Sequence, residues 1–519
     1  MPSKRTNRAR WAAIAWAALA GAVSGAVFLA ASELVALVAA PGASPLLAVG
    51  SVVVDTVPRW AKEFAIALFG SNDKLFLLST LAAGALVAAA AAGVLELWRR
   101  WTGVALFAVA GAAAVAAATT RAAAGGLAFL PPLAGFVVGS VVLGILVGLL
   151  RRWRGTVDAA PAAAVDRRRF LVLTSIAGLA AVAALAGARI ASAGPSSIAA
   201  IRARLRLPSP GSRVAVPAGA ELPVRGISPL FTPNADFYRV DTALSVPAVD
   251  PASWRLVVDG LVEKRVELTF DELLGMGLDE YAITLTCVSN EVGGDLVGTA
   301  RWLGVPVRDV LALARPRRGA DMVLSRSIDG FSAGTPLSAL TDARRAAILA
   351  VGMNGEPLPL EHGFPVRMVV PGLYGYVSAT KWLTRLKVTT FAGDQGYWTP
   401  RGYSAKAPIK LSSRIDTPRV DRSLAPGPTV IAGVAWAQGV GIHRVEVQID
   451  GGAWQDAKLS TPVSADTWVQ WSLPWDATAG GHTLSVRATD RDGRLQEQRR
   501  TPIAPDGSTG WQQTFVRVG

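Results

Sequence analysis

The sequence predicts a chain in three parts: an α-helical membrane domain of about five spans, an α+β domain, and a C-terminal β-sandwich. Three observations carry that prediction. Long uncharged runs are confined to the first 192 of the 519 residues. From about 225 to 405, short strand-like segments mix with helical ones. From about 406 onward, alternating strands are separated by Gly, Pro and Asp turns.

The apolar runs lie at about 11–32, 75–95, 102–120, 127–150 and 170–188. Each is near the ~20 residues that a helix needs to cross ~30 Å of hydrocarbon. Residues 45–70 carry Asp55, Pro58, Arg59, Lys62 and Glu63, so an amphipathic segment on the membrane surface is expected there. On a five-span path, 12 basic residues (Lys4 to Arg10, Arg99, Arg100, Arg151 to Arg154, Arg167 to Arg169) face one side and 5 (Arg59, Lys62, Lys74, Arg121, Arg189) the other. That bias places the N-terminus in the cytoplasm and the large C-terminal part outside a bacterial plasma membrane. Residues 1–192 hold 17 basic and 7 acidic side chains, so +10 of the net charge of +14 flanks membrane helices. Nucleic-acid binding is therefore not expected. No histidine occurs in residues 1–192, which excludes bis-histidine haem there. The Ala- and Gly-rich helices read as an anchor with small-residue packing faces, in contact with lipid. A transporter is disfavoured, because acidic pairs and broken-helix signals are lacking. Arg167-Arg168-Arg169-Phe170-Leu171, before the last span, fits either a positive-inside flank or a twin-arginine export signal.

Residues 193–224 read as a linker with a basic amphipathic stretch at Arg202–Arg206. Strands are expected at Trp254–Val258, Val366–Val370 and Leu386–Thr390, and helices at Phe270–Leu274 and Val307–Ala314. The sandwich strands are expected at Thr429–Ala437, Gly441–Asp450, Thr467–Leu473 and His482–Thr489. Trp436, Trp454, Trp468, Trp471 and Trp475 fall among them as core or interface aromatics. His443 and His482 are read as surface or packing residues.

Cys287 is the single cysteine. It ends the strand-like run Tyr281–Thr286 and opens a polar, glycine-containing turn, where ligands and nucleophiles are commonly placed. Covalent nucleophile and thiolate ligand to a metal both remain open. A nucleophile needs a base, and His362, in Glu361-His362-Gly-Phe-Pro-Val-Arg367, is the one histidine in the same domain. With Arg367 and Lys381 it suits a phosphate or another anion. An anion site beside a lone thiolate points to a phosphorylated cofactor that brings its own metal.

Thr286-Cys287, Ser289-Asn290, Gly293-Gly294 and Ala300-Arg-Trp-Leu-Gly-Val-Pro306 resemble the molybdenum-binding segment of the sulfite oxidase family. Met353-Asn354-Gly-Glu-Pro-Leu-Pro359, His362–Arg367, Val370-Pro-Gly372 and Lys381-Trp382-Leu383 resemble its pterin-binding segment. The resemblance spans roughly residues 225–519. It implies a sulfite-oxidase-like molybdopterin domain at 225–405 and an immunoglobulin-like dimerisation domain at 406–519. It also implies molybdenum and molybdopterin as cofactors, no haem domain, and membership of the haem-free prokaryotic branch. Cys287 would be the metal ligand. Asn290, Gly293, Gly294, Asn354, His362, Arg367 and Lys381 would hold the pterin and its phosphate, helped by Asn234, Phe237 and Tyr238. Such a protein is loaded and folded in the cytoplasm and exported folded, which favours the twin-arginine reading of 167–171. Electrons would leave through an external carrier or a quinone-linked protein.

Three substrate positions depart from the family pattern. Asp241 stands where an anion-binding arginine is expected, and Glu291-Val292 replace an arginine pair; a role as partner of Arg239, Arg301 or another cation weighs evenly with a substrate role for either carboxylate. Phe331 takes the place of the active-site tyrosine. Lost charge-assisted hydrogen bonds would weaken sulfite binding by ~1–3 kcal/mol each. The expectation is an oxygen-atom-transfer oxidoreductase acting on a sulfoxide or another small oxo compound. A true sulfite oxidase is the nearest alternative, and an anchored interaction protein with a vestigial molybdopterin domain is the alternative of another class.

Overall fold

The computed structural model describes residues 4–40, 43–58, 68, 73–121, 124–155, 160–193, 197–419 and 423–519. The chain divides into two compact units, Met1–Ser196 and Ser197–Gly519.

The first unit holds α1 (Lys4–Ala39), α2 (Pro45–Thr56), α3 (Asp73–Trp98), α4 (Thr102–Thr119), α5 (Leu130–Gly155) and α6 (Ala160–Ala193). All but α2 are long and apolar enough to cross a membrane. α1 packs against α3, α5 and α6. Small residues permit this: a Cβ on Gly21 would stand 2.1 Å from the Ala89 carbonyl, and one on Gly93 2.1 Å from that of Ala17. Backbones approach this closely only where side chains are absent. Glu96 is buried near the end of α3, accepts from the Trp101 and Gly103 amides (3.0 Å each) and pairs with Arg151 at 3.6 Å. α2 covers the first part of the segment 45–70 that is expected at the membrane surface. Its Ala48 is buried against Ala117 and Ala118 of α4, because its residues before Asp55 are uncharged. Arg59, Lys62 and Glu63 lie outside the described residues. Arg167 to Arg169 lie within α6, with the Arg167 guanidinium over the Trp153 ring.

The second unit opens with α7 (Ser197–Arg204), so the expected linker is corrected. Ile198 is buried with Phe237, Leu285, Ile348 and Leu358. Arg202 donates to the carbonyls of Leu358 and Pro357 (2.7 Å each) and pairs with Glu356 at 3.0 Å. Farther on, the Leu222 amide donates to Gln470. Buried apolar and charged contacts fasten the segment to the body that follows.

Two sheets build the α+β part. The first, in order β2-β1-β10-β5-β6, comprises β1 (Arg255–Gly260), β2 (Val266–Thr269), β5 (Met322–Ser327), β6 (Ser332–Pro336) and β10 (Leu383–Thr389). Its β1–β10 pair is parallel. The second runs β3-β4-β7-β8, with β3 (Asp279–Thr286), β4 (Val297–Pro306), β7 (Ile348–Met353) and β8 (Glu356–Pro357), and β9 (Arg367–Val369) pairs with β7. Helix α8 (Phe270–Gly275) starts at a reciprocal Thr269–Glu272 capping box. Helix α9 (Val307–Ala314) buries Val307, Val310, Leu311 and Ala314 on one face, and α10 (Leu337–Thr341) follows β6.

Two four-stranded antiparallel sheets close the unit. One is β11 (Ser412–Thr417), β12 (Gly427–Trp436), β16 (Val469–Ala477) and β15 (Lys458–Leu459); the other is β14 (Gln455–Asp456), β13 (Ile442–Ile449), β17 (Gly480–Asp490) and β18 (Gln512–Val518). Ile431 and Trp471 from one sheet share a core with Val445, Val486 and Val516 from the other, the arrangement of a sandwich. Trp436, Trp468 and Trp471 are buried. His443 is exposed, and His482 is bonded to Asp450 (2.6 Å).

Candidate functional site

Cys287 follows the last residue of β3 and is 8% exposed. Its amide donates to Leu296 and its sulfur lies 3.4 Å from the Ser289 N–H. Burial pushes the thiol up, and the Ser289 N–H opposes that shift. The turn that follows is shaped by Asn290, whose Oδ1 accepts from the Leu296 amide (2.9 Å). Gly293, at φ +83°, and Gly294 complete it, and a Cβ on Gly294 would meet Asn290 Oδ1 at 2.7 Å. These residues shape the loop that presents the sulfur.

Tyr238 connects the thiol to a cationic cluster, since its hydroxyl lies within electrostatic reach of both Cys287 and Arg367. Burial holds that hydroxyl well above the ordinary tyrosine range. Its ring stacks on Phe237 (5.3 Å), which packs edge-on against Trp302 and His362. Arg367 begins β9 and is 5% exposed. Its guanidinium lies over Trp302 (5.1 Å) and donates to the carbonyls of His362 (3.2 Å) and Met368 (3.4 Å). Among the described residues no carboxylate forms an ion pair with Arg367. Burial lowers it to about 10, so it stays charged at neutral pH. His362 is lowered to about 4, first by burial and then by Arg367 and Lys381, and is therefore neutral at pH 7. Gly363 lets the turn pass between the two cations: at φ +109°, its Cβ would stand 3.0 Å from the Cβ atoms of both Arg367 and Lys381.

Asp241 does not stand free as a substrate group. It is 4% exposed and pairs with Lys381 Nζ (2.7 Å) and Arg239 Nε (2.9 Å). Lys381 also donates to the Glu361 carbonyl and is lowered to about 8 by burial, with Asp241 opposing the shift. Arg239 and Lys381 thus converge on Asp241. Asn234 and Asn354 hold the cluster's floor. Asn354 Nδ2 donates to Asn234 Oδ1 (2.8 Å), Asn354 Oδ1 accepts from the Arg301 amide, and the Asn234 carbonyl lies 3.2 Å from His362 Nε2. Phe331 sits in the turn between β5 and β6 with its ring against Tyr397 (5.8 Å).

Sequence reasoning missed the sandwich residues that reach the site, Gly507, Ser508 and Arg414. Tyr374, within electrostatic reach of Cys287 and pushed up to about 12 by burial, is met there by Gly507. Ser508 donates to the Asn290 carbonyl (2.8 Å), and Arg414 to that of Gly294 (2.8 Å). Asp506-Gly-Ser508 has the composition of an ordinary turn, which carries no signal of a distant partner.

A buried guanidinium that pairs with no carboxylate among the described residues, and a buried thiol within electrostatic reach of the same tyrosine, fit a ligand that is anionic at one end and binds sulfur at the other. Comparison with known proteins agrees. Residues 243–398 match the family described as oxidoreductase molybdopterin binding domain. The mitochondrial sulfite oxidase of Rattus norvegicus is 32% identical over 58% of this chain, which spans 64% of that protein's length. A nitrate reductase of Hordeum vulgare is 29% identical, with 49% of this chain and 36% of that protein covered. The sulfane dehydrogenase SoxCD from Paracoccus pantotrophus shares the fold, with a TM-score of 0.50 and 23% identity over 59% of this chain and 86% of that one. The sulfite oxidase of Gallus gallus is 31% identical, with 57% of this chain and 74% of that protein covered. On that similarity, and on the thiol and buried arginine set at the matching motifs, the chain belongs to the sulfite oxidase family of molybdopterin oxidoreductases.

Proposed function

We propose that this protein is a membrane-anchored, molybdenum-dependent oxidoreductase of the oxygen-atom-transfer type, with its catalytic unit outside the cytoplasm. The observation that carries the reading is buried Arg367, which pairs with no carboxylate among the described residues, in the same unit as buried Cys287, with Tyr238 within electrostatic reach of both. Cys287 would bind the metal, Arg367 the pterin phosphate, and Lys381 and His362 the surrounding polar edge. Bound there, the molybdenum–pterin group supplies two-electron oxygen-atom transfer.

The chain's own residues prepare that site. Burial favours the protonated thiol, and the Ser289 N–H, 3.4 Å from the sulfur, would steady a thiolate that held a metal. Neutral His362 accepts or donates a hydrogen bond without adding charge. Asp241 holds Lys381 and Arg239 in place, so it does not act as an isolated anion repelling substrate. Exposed Glu291 and apolar Phe331 remain at positions where the family carries arginine and tyrosine, which favours an uncharged or cationic substrate such as a sulfoxide. Similarity to sulfite oxidases favours sulfite as the second reading.

Molybdenum and pterin content of the purified full chain, followed by kinetics with sulfite and a neutral sulfoxide, test both readings. Loaded protein that turns over neither compound would refute this substrate assignment, and a chain that never takes up the metal would refute the cofactor assignment. The internal export signal is part of the proposal. Replacing Arg167 and Arg168 by Lys keeps the charge and should trap the second unit inside, whereas normal external accessibility would leave only the charge-flank reading.

A further inference from the structure

The segment Thr284–Gly294 is gripped along its length by the sandwich. The Thr284 amide donates to Asp466 (3.0 Å), the Trp468 amide to Thr284 Oγ1 (2.8 Å), and the Gln438 side-chain amide to the Thr284 carbonyl. Arg414 and Ser508 hold Gly294 and Asn290, as described above. Gly507, at φ +98°, lets residues 503–510 reach the Tyr374 hydroxyl; a Cβ there would stand 2.5 Å from it.

Between these contacts lies a polar chamber lined by Thr286, Asn290, Tyr374, Trp436, Ser413 and Ser508, with room for about one water molecule. Two buried groups on residues that line it have no hydrogen-bond partner among the described residues: Thr286 Oγ1, on a residue 2% exposed, and Trp436 Nε1, on a residue 3% exposed. Buried donors are seldom left unpaired, and internal water commonly takes the place of a missing partner.

We propose that this chamber is a hydration site, in which one buried water accepts from Trp436 Nε1 and bonds Thr286 Oγ1, joining the sandwich to the residue beside the thiol. Thr286 and Trp436 are then positioning residues, and the sandwich is a wall of the Cys287 site. The inference deepens the proposed function, but its readouts need no bound cofactor.

The test uses the full chain from a host that cannot make the pterin. Two quantities are read: the Tm, and the rate at which a thiol reagent modifies Cys287, the sole cysteine. With a bound water, Thr286→Val removes a bonded hydroxyl, so the Tm falls and the thiol rate rises several-fold. Thr286→Ser keeps the hydroxyl and restores the rate. In a Trp436→Phe background, Thr286→Val has little further effect, because the water is already lost. A dry chamber gives the opposite sign, since deleting an unpaired buried hydroxyl raises the Tm and leaves the rate unchanged; that result overturns the proposal. Asp450→Ala, which breaks the His482 pair away from the seam, should lower the Tm without changing the thiol rate. An equal rise in rate there would show general loosening and would also overturn it. Absence of molybdenum from the native chain would refute the proposed function and leave these readouts intact.

Discussion

Arg367→Met separates the cost of a buried cation from its use. Burial lowers the guanidinium from 12.5 to about 10, which corresponds to a cost on the order of 3 kcal/mol against the charged form. Methionine retains much of the apolar volume and removes that cost. It also forfeits the Trp302 contact and two hydrogen bonds from a charged donor to carbonyls, each hydrogen bond worth about 1.5–3 kcal/mol. These losses match or exceed the relieved cost, so the cofactor-free chain should melt no higher than the native one and at most a few degrees lower. The same variant, made in a host that supplies the pterin, should lose most of its cofactor, because no other buried arginine in the cluster can replace the phosphate contact. Thermal melting of cofactor-free protein, with metal and pterin analysis of loaded protein, reads both effects. A variant that melts lower when empty and still carries a full complement of pterin would show that Arg367 serves packing alone.

Cys287→Ser should leave the second unit folded and cost nearly all bound molybdenum, because a hydroxyl is a far poorer soft ligand; native turnover by purified Cys287→Ser protein would contradict the ligand role. Asp241→Asn should destabilise by about 3–5 kcal/mol, because it strands buried Lys381, and a change under about 1 kcal/mol in chemical denaturation would place that pair effectively in solvent. His362 sets an acid limit. Its folded value, about 4, lies below the unfolded 6.5, so its contribution of roughly 3 kcal/mol is present above pH 6.5 and lost as pH falls through 4. His362→Gln should flatten the stability profile between those values, and an unchanged profile would assign the acid loss to carboxylates.

The sequence by itself determined the elements with a strong local period and the residues with unusual chemistry. Five apolar runs, the amphipathic face Val307–Ala314, and the alternating sandwich strands follow from hydrophobic spacing, which depends on near neighbours. Cys287, His362 and Arg367 were legible because thiol, imidazole and buried guanidinium chemistry is scarce in this chain and falls in recognisable motifs. Tertiary structure decided which charges meet. Asp241 lies 140 positions before Lys381, and nothing local identifies that lysine as the cation that, with Arg239, decides between the carboxylate's two readings. The segment 193–224 looked like a linker because Ser, Pro and Gly suggest loose chain, yet Ile198 and Arg202 find partners more than a hundred residues away. The sandwich wall of the thiol site was likewise hidden. Ser508, 218 positions from Asn290, acquires its role only when long-range packing brings an unremarkable turn against a reactive one.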